Sequence, residues 1–275
     1  MNTYVIAEIG INHNGDLNLA KELISLSKEN GCQAVKFQKR DVESVYSQEE
    51  LESWRESPWG TTFREQKEGL EFTIDQYKDL ESYTKSLGLD FIVSCWDLKS
   101  LDLIENNCNV SYHKIASAML TDREFLEKIN ETKKPVIVST GMSTEEEIEK
   151  ALSLLNNVSY ILACTSTYPT NEKEVNLLYV QTLKKKYPNY KIGFSNHSSG
   201  LLASLSSIVL GAECLEFHIT KDRAMYGSDQ AASIENVEKL MSGIQKIEDM
   251  LGDGIKKVYE SEVPIIKKLR KKNNL

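Results

Sequence analysis

Eight short apolar runs, alternating with amphipathic stretches, constrain this chain more than any other feature. They fall at residues 3–9, 33–38, 89–94, 110–115, 135–139, 158–163, 191–194 and 214–219, each four to seven residues long and rich in Val, Ile, Phe and Tyr. Runs of this length that stay apolar on both faces, separated by helical patterns, read as parallel strands joined by crossover helices. Eight such units in 275 residues fit a closed (β/α)8 TIM barrel. An open doubly wound sheet is the second reading, but no G-x-G-x-x-G follows the first strand. Helix punctuation agrees with the alternation: Asp16 as a cap with Gly31 as a stop, Asp97, and capping boxes at Thr73-x-x-Gln76, Thr121-x-x-Glu124 and Ser143-x-x-Glu146. Further helices are expected at 173–186, 198–210 and 234–251. Residues 39–72, with Trp54, Trp59 and Phe63, read as the longest irregular region, functional or mobile. The expected organisation is one catalytic barrel over 1–253, then a charged C-terminal extension, 254–275, with no antifreeze-like domain.

Composition narrows the functional classes. A net charge of −8 argues against a nucleic-acid or anionic-membrane partner, while leaving room for local cations around a small anion. No apolar run approaches the ~20 residues of a membrane span, and MNTYVIAEIG lacks a basic signal-peptide start. The five cysteines are odd in number and show no C-x-x-C spacing, so free thiols in a reducing cytoplasm are expected. A nucleophilic Cys164 is the alternative use, with no histidine nearby in sequence to activate it.

Barrel chemistry collects at the C-terminal strand ends. Here those ends carry Glu8, Lys36 with Gln38, Ser94, Lys114 with Ser117, Ser139 with Thr140, Thr165 with Ser166, Ser195 with His197, and His218. One histidine alone reads as a strand cap, but His197 and His218 stand at matching points of consecutive strand–helix units. A parallel sheet edge would aim both at one spot, as a two-histidine metal site requires. Lys36 and Lys114 interrupt apolar strands; each must be surface-exposed, paired or facing a ligand. Two such cations among a ring of hydroxyls describe an oxyanion site for phosphate and carboxylate. Glu8 and Asp229 offer carboxylates as metal ligand, base or hydroxyl clamp, or as ion-pair partners of Lys36 and Arg223.

At these positions the chain resembles the sialic acid (N-acetylneuraminate) synthase family, through AEIGINHNGD, AVKFQ, HKIASAMLTD, VIVSTGMST, CTSTYPT, IGFSNHSSG, EFHIT and DQAAS, spread over about residues 5–235. The resemblance implies condensation of phosphoenolpyruvate with a sugar aldehyde. C3 of phosphoenolpyruvate attacks the aldehyde carbon, water adds at C2, and phosphate leaves by C–O cleavage. It implies a divalent metal, Mn or Mg, on His197 and His218. Lys114, Ser117, Ser139, Ser166 and Ser195, joined by Ser94, would hold phosphoenolpyruvate, and Lys36, Gln38, Glu8, Tyr168 and Asp229 would line the sugar and metal region. It also implies a homo-oligomer, expected as a dimer.

The chain departs from the family pattern in three ways. Serine stands at 94 and 166, where relatives carry Thr and Asn, and both swaps keep a donor. The K-I-x-S-G-E pattern, by contrast, reads KIASAM here, with Ala118 in the glycine slot and Met119 in the glutamate slot, so a polar contact to sugar or water is expected to be missing. The family's appended antifreeze-like domain, which contacts the acceptor's acyl-amino group, is also expected to be absent. The acceptor would then lack an N-acetyl group, or another chain or residues 39–72 would close the site. Two further readings stay open: a synthase for a shorter or phosphorylated aldose, using a cationic pocket of Lys39, Arg40 and Arg64, and a catalytically silent sugar- or phosphate-binding scaffold. A metal hydrolase is disfavoured because the first strand lacks an H-x-H pair and His13 stands alone in a turn.

Overall fold

A computed structural model describes residues 3–227 and 230–270. Eight strands close into a parallel barrel: β1 Tyr4–Gly10, β2 Ala34–Lys39, β3 Asp90–Cys95, β4 Tyr112–Ile115, β5 Val136–Ser139, β6 Val158–Cys164, β7 Lys191–Asn196 and β8 Cys214–His218, with β1 paired to both β2 and β8. The crossovers are α1 Leu17–Glu29, α2 Ile74–Ser86, α3 Leu98–Asn107, α4 Arg123–Glu131, α5 Glu145–Leu154, α6 Tyr179–Lys186, α7 Leu202–Val209 and α8 Val237–Leu251. Each expected strand is present, displaced by no more than two residues at either end. None of the described helices is long and apolar enough to cross a membrane.

Side chains alternate across each strand. The outward set, such as Val5, Ala7, Val35, Phe37, Phe91 and Val93, packs against the helices in the larger core. On α4, Phe125, Leu126 and Ile129 share the buried face, each side chain worth ~1.5–3 kcal/mol when fully buried. The inward set forms its own core of Ile6, Ala34, Ile92, Ile137, Tyr160, Leu162 and Cys214. At its lower end Tyr4 stacks on Tyr160 with ring centroids 5.7 Å apart and tilts against Tyr112, and its hydroxyl donates to Asp90 at 2.7 Å. The barrel is therefore stoppered by aromatic rings at its N-terminal end and apolar through its middle. Above that middle its inward side chains turn polar, toward the C-terminal rim.

Three local expectations are corrected. The box at Thr121-x-x-Glu124 gives way to Asp122, whose carboxylate accepts from Phe125 N–H and is the stronger cap. The box expected at Ser143-x-x-Glu146 forms one residue later, between Thr144 and Glu147, because Ser143 spends its hydroxyl on the Gly141 carbonyl at 3.2 Å. Residues 39–72 are not irregular. They fold as helices Val42–Val45, Gln48–Glu52 and Phe63–Leu70 around a hairpin of Trp54–Ser57 and Gly60–Thr62. Ser47 with Glu50, and Thr62 with Glu65, make capping boxes that fix two of these short helices. The insertion is pinned by Trp59, which lies where a Cβ on Gly69 would come within 2.2 Å of its ring. Trp59 also meets Tyr226 edge-on at 5.7 Å, and Gln66 Nε2 donates to the Tyr226 hydroxyl at 2.7 Å. Residues after β2 are thereby tied to the loop after β8.

Candidate active site

The polar top layer of the barrel opens into a cavity of about 330 Å³. Its walls contain Glu8, Lys36, Gln38, Ser94, Lys114, Ser117, Ser139, Ser166, Tyr168, Ser195, His197 and His218, so every expected site residue among those described faces one space. Asp229 lies outside the described residues.

At the floor stands a group that strand-end reading missed, Glu216, 3% exposed and two residues before His218 on β8. Its Oε1 accepts from Ser195 Oγ at 3.1 Å and lies 3.8 Å from the ammonium groups of both Lys36 and Lys114. Its Oε2 is buried with no hydrogen-bond partner among the described residues. Burial opposes ionisation of this carboxyl, but Lys114 and Lys36, then His218 and His197, outweigh it and hold Glu216 down at about 2. The signal was present in Cys-Leu-Glu-Phe-His: period two puts Glu216 on the same inward face as His218.

The two lysines differ. Lys36 pairs with Glu8 at 2.7 Å; burial works against its charge, but Glu216 and Glu8 prevail and hold it above the usual lysine range. Glu8 in turn accepts from Gln38, and Gln38 accepts from Arg40, whose guanidinium lies 4.1 Å over the Trp96 ring. Glu8 thus forms the ion pair with Lys36 that was one reading of it, and it also lines the cavity. Lys114 donates to Ser139 Oγ at 2.6 Å, and Ser94 Oγ donates to the Lys114 carbonyl at 3.1 Å. Burial dominates at Lys114, and its amine lies below the usual lysine range despite Glu216. Lys114 is the cation most in need of an anion.

Beside it the hydroxyls form a cradle around Gly141. A Cβ there would lie 2.2 Å from Ser166 Oγ, 2.7 Å from Ser117 Oγ and 3.2 Å from Cys164 Sγ. Gly141 is not in a left-handed conformation, so it is the space that requires glycine. Met119 does not reach the cavity: it is 8% exposed and packs in the outer core, so the residue in the family's glutamate slot is part of the packing. Cys164, which has no histidine nearby in sequence, has one nearby in space: its thiol lies 3.8 Å from His197 Nδ1.

The imidazoles of His197 and His218 lie edge to face with centroids 5.3 Å apart, and Tyr168 packs over both at 4.2 and 5.6 Å. His197 Nδ1 is 2.7 Å from the Thr165 carbonyl, which can only accept. Nδ1 therefore carries a proton, and in the neutral ring Nε2 keeps its lone pair, the orientation found in metal-ligating histidines. No group of three or more His, Cys, Asp or Glu among the described residues is arranged to hold a metal alone. The donor set fits two imidazoles of an open coordination shell, the remaining positions left to water and substrate. His13 plays no part: it is buried in its turn, stacked on Phe72 at 4.2 Å, and burial drives its imidazole down to about 3.

The cationic pocket expected from Lys39, Arg40 and Arg64 does not form. Lys39 is bound to Glu71 at 2.8 Å, and Arg40 lies 3.9 Å from the same carboxylate while bonding Gln38. Arg64 is taken up by Glu43, Gln48 and Glu68 on the outer surface of the insertion.

The chain as a whole has counterparts among known proteins. Residues 23–256 match the NeuB family. The chain belongs to the NeuB family. N-acetylneuraminate-9-phosphate synthase from Homo sapiens is 35% identical over 275 aligned positions, which cover 98% of this chain and 76% of its own length. N,N'-diacetyllegionaminic acid synthase from Campylobacter jejuni is 36% identical, covering 98% of this chain and 83% of its own. The solved N-acetylneuraminic acid synthetase of Leptospira borgpetersenii, in complex with citrate, superposes with a TM-score of 0.84 at 30% identity, covering 99% of this chain and 94% of that one. The NeuB resemblance in the strand-end motifs thus extends through the whole barrel.

Proposed function

We propose that this NeuB-family chain condenses phosphoenolpyruvate with a sugar aldehyde to give a nonulosonic-type 3-deoxy-ulosonic acid and phosphate. It is a carbon–carbon bond-forming transferase, and the deoxyulosonate synthases for shorter aldoses are its nearest alternative. The observation that carries the reading is one small cavity in which two buried lysines and a hydroxyl cradle share the space with two histidines.

In this reading Lys114, Ser117, Ser139 and Ser166 receive the phosphate and carboxylate oxygens, with Ser195 and Ser94 behind them. Lys114 and Lys36 supply charge in a dry floor where each contact is strong. Glu8 and Gln38 hold Lys36 in place, and Tyr168 and Asp229 complete the sugar side. His197 and His218 would hold a divalent Mn or Mg ion, which when bound polarises the aldehyde carbonyl. The new bond joins C3 of phosphoenolpyruvate to the aldehyde carbon; water adds at C2, and the C2–O bond breaks to release phosphate. Glu216 Oε2, buried and without a hydrogen-bond partner, is positioned to accept a hydrogen bond from that water. An active enzyme explains why all four of Lys36, Lys114, His197 and His218 converge, where a silent scaffold needs only some of them.

The test is phosphate release from phosphoenolpyruvate with Mn and a panel of aldoses, followed by mass spectrometry of the acid formed. The product mass should equal that of the aldose and phosphoenolpyruvate plus water, less phosphate. Absence of phosphate release with every aldose, in a preparation that binds phosphoenolpyruvate and Mn, would refute the reading.

A further inference from the structure

Resting on the synthase reading, we propose that the acceptor is an uncharged sugar aldehyde, without a phosphate ester. The two curated relatives described above differ on this point by name, one making a 9-phosphate and the other an unphosphorylated acid. The cavity distinguishes the cases through its charges.

Among the described residues, the only lysines or arginines lining the cavity are Lys36 and Lys114, both at the floor and 4% and 2% exposed. Lys36 is already matched by Glu8, and Glu216 stands between the two lysines. The phosphate and carboxylate of the first substrate need what remains of that charge. A second phosphate, carried at the far end of an acceptor, would have to find its cation at the mouth.

Among the described residues, the mouth offers none. It is lined by Trp96, Ala116, Ala118, Met142 and Tyr168, with Met142 66% exposed. The cations that follow β2, Lys39 and Arg40, are bound to Glu71, and Arg40 is further held against Trp96. A dianion set against aromatic and methyl surface loses its hydration with no counter-charge in return. Hydroxyls, deoxy positions and acyl groups lose far less against the same wall. Charge neutrality at the mouth therefore selects a neutral acceptor.

The experiment pairs each aldose, acetamidohexoses included, with the ester bearing phosphate on its terminal carbon. Phosphate release from phosphoenolpyruvate is followed with Mn present, and kcat/KM is compared within each pair. Phosphoenolpyruvate binding is measured by calorimetry in the same preparation. The neutral member should be favoured at least tenfold. Equal or better use of the phosphorylated member overturns this inference and leaves the synthase reading standing. Silence with every pair, despite bound phosphoenolpyruvate, removes the synthase reading and this inference with it. A charge-introducing variant, Met142→Lys, should raise kcat/KM for phosphorylated aldoses relative to their neutral partners; no rise in that ratio in a folded variant also counts against the inference.

Discussion

Replacing Gly141 by alanine tests the anion cradle with one carbon atom. The added Cβ would stand 2.2 Å from Ser166 Oγ and 2.7 Å from Ser117 Oγ, closer than van der Waals contact permits. Both neighbours are the free ends of short rotors, so the fold can absorb the methyl by swinging the hydroxyls away. The thermal midpoint should therefore fall by only a few degrees, as for a local change of ~1 kcal/mol in a domain of this size. The cradle cannot absorb it. A hydrogen bond to a charged oxygen contributes about 1.5–3 kcal/mol, so loss of one hydroxyl weakens phosphoenolpyruvate binding roughly tenfold to a hundredfold, and loss of both weakens it more. Calorimetric titration of the folded variant reads this directly. A double-mutant cycle sharpens it: with Ser117 and Ser166 already replaced by alanine, Gly141→Ala should add little, because the groups it displaces are gone. Undiminished affinity in a folded Gly141→Ala protein would refute the cradle.

Other expected outcomes follow from the same geometry. His218→Ala should abolish Mn-dependent turnover and weaken Mn binding measured by calorimetry, and full activity would sink the metal assignment. Lys36→Met strands Glu8 and Glu216 in the floor and should cost about 3–5 kcal/mol in denaturant unfolding, most of it recovered when Glu8→Gln is added. Because burial holds the Lys114 amine below the usual lysine range, phosphoenolpyruvate affinity should fall on the alkaline side before an ordinary lysine would titrate; Lys114→Arg, if it binds, should flatten that limb. His13 has a folded value of about 3 against 6.5 for an unhindered imidazole. As pH falls between these values the unfolded chain takes up the proton first, so stability is lost, by on the order of 4 kcal/mol at ~1.4 kcal/mol per pH unit. Chemical denaturation of His13→Asn across that window should show a shallower acid limb.

The barrel was legible because its strands are largely apolar and the first five crossover helices open on side-chain caps. The site was legible because polar residues interrupt that pattern toward the C-terminal ends of the strands. Glu216 was overlooked because it stands one layer below the rim, where Ile6 and Ile137 are typical, and only its two-residue offset from His218 marks it. Gly141 carries no side chain to notice; its role lies in what its neighbours would meet. The insertion misled for another reason. Its boxes, Ser47 with Glu50 and Thr62 with Glu65, lie in the sequence in plain form, but the segments they open are five and eight residues long, too short to show helical periodicity. Lys39, Arg40 and Arg64 looked like free cations because their partners, Glu71 and Glu43, are 21 to 32 residues away in the chain. Pairing across such gaps is decided by tertiary structure.

The tyrosine stopper at the foot of the barrel has a consequence for traffic. With Tyr4, Tyr112 and Tyr160 packed together below a layer of isoleucine and leucine, the barrel is a vessel with one opening. Both substrates, the departing phosphate and acid, and the water consumed in each turnover all pass the same mouth. Whatever lies deepest must arrive first and leave last, so the order of events in a catalytic cycle is written into the plumbing as much as into the chemistry.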